Sequence, residues 1–197
     1  MVMRGNKIIQ LVWSAGLAGL VLTAVAPQAR AQASRSDTST QPKTMAQTGQ
    51  LSGKDYDFLV RAARIDMEEV QAGELAQKKG TSQAVRDFGS HMVNDHSKAN
   101  TGLQEIATQK NTTLPTQLSQ KQNTSIQGLE GLSGAEFDKT FAEEMVKGHT
   151  QAVKEFDAAS KNVSDTDLKA WAETALPLLQ EHLRMAKEMQ AEVKNEK

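Results

Sequence analysis

The sequence predicts an all-α chain: a four-helix bundle made of two antiparallel hairpins joined by a long crossover that contains a short helix. Three observations carry this. Apolar residues recur three and four positions apart along four long stretches. Glycine and serine stand at the ends of those stretches, where helices stop and start. Aromatic residues are 4% of the 197 residues and cysteine is absent, which suits one helical domain with a modest core and no disulfide framework.

The chain opens with the pattern of a secretory leader. Arg4 and Lys7 form a basic start, and Ile8 to Val25 form an apolar run interrupted by Gln10, Ser14 and Thr23. Ala29-Arg30-Ala31 is an A-x-A cleavage site, so the mature chain is expected to begin at Gln32, with cleavage after Ala33 as the second choice. An uncleaved membrane anchor is the alternative reading of 1–31. The leader holds three basic residues (Arg4, Lys7, Arg30) of the chain's 23 and no acidic one, so the mature chain keeps 20 against 24 acidic. That net negative charge argues against nucleic acid as a partner. The expected compartment is periplasmic or secreted, with no stable membrane insertion after cleavage near Ala31. Gln32 to Leu51 is rich in Ser, Thr, Gln and Ala and reads as a disordered tether over 32–51.

Helical periodicity over 52–195 then gives the bundle. Ser52-x-x-Asp55 is a capping box, and the first helix stops at Gly80. Thr81 or Ser82 caps the second helix, which runs to about Lys110; so short a turn makes the two antiparallel neighbours. Asn111 to Leu132 is weakly amphipathic and reads as a crossover with a short helix inside. Ser133-x-x-Glu136 opens the third long helix, to about Lys161, and Ser164-x-x-Asp167 opens the fourth. Pro177 lies inside this last helix and predicts a kink rather than a break. Two hairpins with one long connection is the connectivity of ferritin-like bundles; a plain up-down bundle with a long loop has the same helix count.

Each seam carries one residue that does not belong in a core. The seams read Phe58, Ala62, Ile65, Glu69, Ala72, Ala76; then Val85, Gly89, Met92, His96, Ala99, Leu103, Ile106; then Phe137, Phe141, Met145, His149, Ala152, Phe156; then Leu168, Trp171, Ala175, Leu178, His182, Met185, Met189. Burying Glu69, His96, His149 and His182 is costly unless something satisfies them. A metal ion inside the bundle would do so, and one carboxylate with three imidazoles suits Fe, Mn, Zn or Cu. Each hairpin offsets its two polar residues by roughly 6 Å in height, about one turn at ~1.5 Å per residue. Asp66, Asp95 and Glu181 are candidates to hold the outer nitrogens of the histidines, with Asp66 also able to act as a fifth ligand. Met92, Met145 and Met185 read as core filler, and His91 as a surface residue. Positions 93, 146 and 179 are Val, Val and Leu, so the Glu-x-x-His spacing of di-iron carboxylate centres is missing.

Several short motifs recur together: Phe58-Leu59-Val60-x-Ala62-Ala63, Glu69-Val70-x-x-Gly73-x-Leu75-Ala76, Met92-Val93-x-Asp95-His96, Leu132-Ser133-Gly134-x-x-Phe137-Asp138, Lys147-x-His149 and Leu176-Pro177-x-Leu179-x-x-His182. Over roughly residues 54 to 192 they resemble the bacterial exported family known as domain of unknown function 4142. The resemblance implies a ferritin-like fold and export to the envelope, and supplies no reaction. Three functions compete. The first is a metal-binding protein for storage, buffering, sensing or stress protection. The second is a structural or interaction protein of the envelope whose polar core sets helix register. The third, ranked last, is an enzyme: no Ser-His-Asp set, phosphate loop or cysteine pair is visible, so catalysis would have to be metal-based.

Overall fold

Five helices form in the computed structural model, which describes residues 50–195: α1 (Gly53–Lys79), α2 (Gln83–Gln109), α3 (Gln120–Glu130), α4 (Gly134–Asn162) and α5 (Thr166–Asn195). The leader and tether residues 32–49 lie outside the described residues. α1 packs along α2 and α4 along α5, giving two hairpins, and α3 sits in the crossover between them. No helix among the described residues is long and apolar enough to cross a membrane.

Two buried aspartates fix how the hairpins are stacked. Asp138, one turn into α4, accepts from the backbone N–H of Thr81 at 3.0 Å and of Ser82 at 2.8 Å, and from the Thr81 hydroxyl. Asp55, in the first turn of α1, accepts from the N–H of Ser164 and of Asp165, each at 3.1 Å. Each hairpin's turn is therefore held by the helix start of the other. α4 begins at the end where α2 begins, so those two run parallel. A plain up-down bundle would make them antiparallel and is excluded. The crossover must return along the length of the bundle, which is why it is long.

Helix starts follow local chemistry with some differences from expectation. Ser52 accepts from the Asp55 N–H at 3.2 Å, but the Asp55 carboxylate is taken by the other hairpin and does not close the box. Ser133 makes no capping bond through its side chain. α5 is capped by Asp165, which accepts from Asp167 N–H and Leu168 N–H, rather than by Ser164. The complete capping box is at Ser119 and Gln122, opening α3. α5 continues through Pro177 without interruption.

The α5 seam is turned from the expected one. Leu168, Ala172, Leu179, His182, Ala186 and Met189 are buried, whereas Leu178 is 37% exposed and Trp171 and Met185 are half-buried. At two of these places the spacing offers a larger side chain beside a small one, Trp171 beside Ala172 and Met185 beside Ala186. Ala172 and Ala186 win the interior because small residues let helices approach closely. The same reason explains Gly73 and Gly89 between α1 and α2. A Cβ on Gly89 would lie 2.7 Å from the Gly73 carbonyl oxygen, and one on Gly73 only 2.6 Å from the Gly89 oxygen.

The apolar core is split in two. One cluster gathers Phe58, Leu59, Leu103, Phe156, Leu168 and Leu179. The other gathers Phe88, Met92, Phe137, Phe141, Met145 and Met189. Between them along α1 lie Asp66 and Glu69, along α2 His96, along α4 His149 and along α5 His182, all buried. The bundle is thus two hydrophobic halves separated by one polar layer.

Candidate metal centre

His96, His149 and His182 come together in that layer. Each offers one ring nitrogen, and these nitrogens all lie within 4.8 Å of one another. The rings meet as a triangle, with centroid separations of 6.0 Å (His96–His149), 5.3 Å (His96–His182) and 5.5 Å (His149–His182). His149 and His182 meet here despite the one-turn offset expected from residue counts.

Every histidine spends one nitrogen outward. His96 Nδ1 is 2.8 Å from Asp66 Oδ1 of the neighbouring helix. His149 Nδ1 is 2.9 Å from the Met145 carbonyl oxygen, one turn back on its own helix. His182 Nε2 is 3.2 Å from Asp95 Oδ2 on α2. A carboxylate or a carbonyl can only accept, so each of these nitrogens carries the N–H. The remaining nitrogens, His96 Nε2, His149 Nε2 and His182 Nδ1, are buried and have no hydrogen-bond partner. In the neutral rings those three are lone pairs, the form in which imidazole binds a metal.

Electrostatics favour neutral rings at two of the three positions. Burial and the neighbouring His96 pull His149 down to about 4. Burial, His96 and His149 pull His182 down to about 4 as well. Burial also acts against charge on His96, but its bond to Asp66 and the charges of Glu69, Asp66 and Asp95 outweigh it and leave that ring above the ordinary imidazole value. Burial raises the carboxyls of Asp66 and Glu69.

The seven residues singled out in the sequence fall in different places. Glu69 is buried, with Oε1 4.0 Å from His149 Nδ1 and Oε2 unpartnered, but it is not part of the 4.8 Å cluster. Asp66 holds His96, level with it across the first hairpin. Asp95 does not serve its sequence neighbour. A step of one residue turns it about 100° round the helix, so it faces α5 and holds His182. Glu181 is a correction: the same rotation carries it to the exposed side of α5, where it pairs with Arg184 at 2.5 Å. One role was missed. The Met145 carbonyl becomes legible once His149 is known to be buried, since its acceptor sits at i−4. Counting from the Gly80 turn puts Asp66, about fourteen residues before it, nearer the height of His96 than Glu69 is. His91 is exposed.

The family model for the domain of unknown function DUF4142 matches residues 40–189. The chain belongs to this family. Among solved structures, this DUF4142 chain is similar to a DUF305 fragment from Deinococcus radiodurans, with a TM-score of 0.64 at 9% identity. The match covers 72% of this chain and 98% of the other, and at that identity it speaks to the fold alone. No curated protein matches the sequence. The buried three-histidine cluster of this DUF4142 protein could hold a metal ion.

Proposed function

We propose that this chain is an exported, ferritin-like bundle protein that binds one transition-metal ion, Fe, Mn, Zn or Cu, in its core, for storage, buffering, sensing or stress protection. His96, His149 and His182 are the ligands, and Glu69 supplies negative charge beside them and can take the fourth position. The observation that carries this reading is the set of three inward nitrogens, buried together and without partners while each ring's N–H is satisfied outside. Leaving one such group unsatisfied costs about 1–3 kcal/mol, so three in one layer call for a common occupant. A tetrahedral ion with bonds near 2.1 Å holds its nitrogens about 3.4 Å apart, within a small inward movement of the rings. The compartment follows from the leader read in residues 1–31.

A second reading has one observation in its favour. The bonds Asp66–His96 and Asp95–His182 each join two helices, as a register-setting polar core would. It leaves the three inward nitrogens without a purpose. Metal content of the mature, untagged protein decides between them, after growth with Fe, Mn, Zn and Cu. About one tightly held ion per chain, lost in His149→Ala and retained in His91→Ala, supports the metal centre. No ion in the parent protein, with His149→Ala only less stable, would leave the register reading standing.

A further inference from the structure

The polar layer is sealed above and below by apolar clusters, so an ion must come in from the side. On one side a cleft of about 610 Å³ opens, lined by Gln120, Lys121, Thr124, Ser125, Gly128 and Glu144. Glu144, on α4, is half-buried and lies within the electrostatic reach of Glu68 and Glu69. Glu68, on α1, lies beside Gln122 of α3 and interacts with Glu69. Glu69 is 7% exposed and its Oε2 has no partner. Its other oxygen lies under an exposed glycine: a Cβ on Gly148 would be 3.7 Å from Oε1, so no side chain covers Glu69 there. The three carboxylates therefore lead from the cleft to the edge of the His149 ring. A second opening reaches Asp66 and His96 between Ile65, Phe156, Trp171 and Leu179, but it is lined mostly by apolar side chains and has only about 10 Å³, room for no more than about one water.

We propose that the α3–α4 cleft is the access route for a divalent transition-metal cation, which passes from Glu144 and Glu68 to Glu69 and then to the three histidines. This rests on the metal-binding reading above. A hydrated cation entering an apolar interior loses its water at great cost, and each carboxylate oxygen replaces part of that shell. Charge in a cleft also concentrates counter-ions and speeds their capture by ten-fold or more. Two lysines oppose this, Lys121 beside Glu68 and Lys147 beside Glu144, so three carboxylates face two ammonium groups and the path keeps a negative balance.

The test is the rate of Co²⁺ and Zn²⁺ uptake by the metal-free mature protein, followed by stopped flow, with the final stoichiometry measured in parallel. Glu68→Gln with Glu144→Gln should slow uptake at least about ten-fold while the protein still fills to one ion per chain. Glu105→Gln with Glu192→Gln, which removes the same charge from exposed positions on α2 and α5, should not. Lys121→Gln should speed uptake, and Gly148→Leu, which covers Glu69, should slow it. Uptake in the Glu68/Glu144 variant as fast as in the parent, with full stoichiometry, would overturn the route and leave the centre intact. Failure of the parent protein to bind either ion would overturn the metal reading and the route with it.

Discussion

Asp66 Oδ1 and His96 Nδ1 are 2.8 Å apart, join α1 to α2, and are both nearly sealed from water. The carboxylate fixes the ring's tautomer and aims its Nε2 at the other two histidines. Asp66 itself keeps Oδ2 unpartnered. Asp66→Asn still fits the space and can still accept through its amide oxygen, but it removes the negative charge that makes the ring a strong donor. It should weaken metal affinity by about 10–100-fold and lower the His96 titration point. Competition with a chelating dye reads the first, and imidazole proton NMR the second.

Titration of the metal-free protein should separate the three rings. His149 and His182 should protonate near pH 4, and His96 above the ordinary imidazole value. As pH falls, protons then compete with metal first at His96, and apparent affinity should drop about ten-fold per unit below that point. Three rings titrating together near pH 6.5 would contradict the packing described.

The same shifts bear on stability. The folded His149 value of about 4 is below the unfolded imidazole's ~6.5, so between the two the unfolded chain binds a proton that the folded chain refuses. The contribution of this ring is fully present above about pH 6.5 and is lost as pH falls toward 4. Going from pH 7 to 5, urea denaturation of the metal-free protein should show His149→Leu losing roughly 1–2 kcal/mol less than the parent.

The crossed caps should matter to stability and not to metal chemistry. Asp138→Ala leaves the Thr81 and Ser82 N–H groups at the α1–α2 turn without their acceptor. Asp55→Ala does the same to Ser164 and Asp165. Each should cost about 1–3 kcal/mol, seen as a Tm several degrees lower, while Asp57→Ala on the exposed face of α1 should cost little.

Gly89→Ala should cost about 1–3 kcal/mol, because the new methyl meets Ala76 Cβ and the Gly73 carbonyl oxygen at 2.7 Å and backbone cannot yield cheaply. Gly128→Ala, which meets nothing within 4 Å in the last turn of α3, should be neutral or stabilise by about 0.5–1 kcal/mol. Thermal denaturation of the pair separates close helix approach from helix propensity.

Helix number, hairpin pairing and the inward placement of His96, His149 and His182 were legible in the sequence, because helical periodicity encodes which side of a helix faces its neighbours. What periodicity does not encode is how far a helix is rotated when two apolar choices lie side by side, and there Leu179 is buried where the spacing points to Leu178. Nor does it encode what lies beside a helix. Asp95 and Glu181 stand in the same relation to a following histidine, yet one reaches across to His182 and the other turns to solvent and Arg184. The direction of α4 relative to α2 was open until Asp138 met Thr81 and Ser82. The sequence by itself determined which side chains would be buried at unfavourable cost. Only the tertiary structure decided which of their atoms found partners and which three nitrogens were left facing one another, because hydrogen bonding across helices depends on relative rotation and height, and neither is written in any single helix.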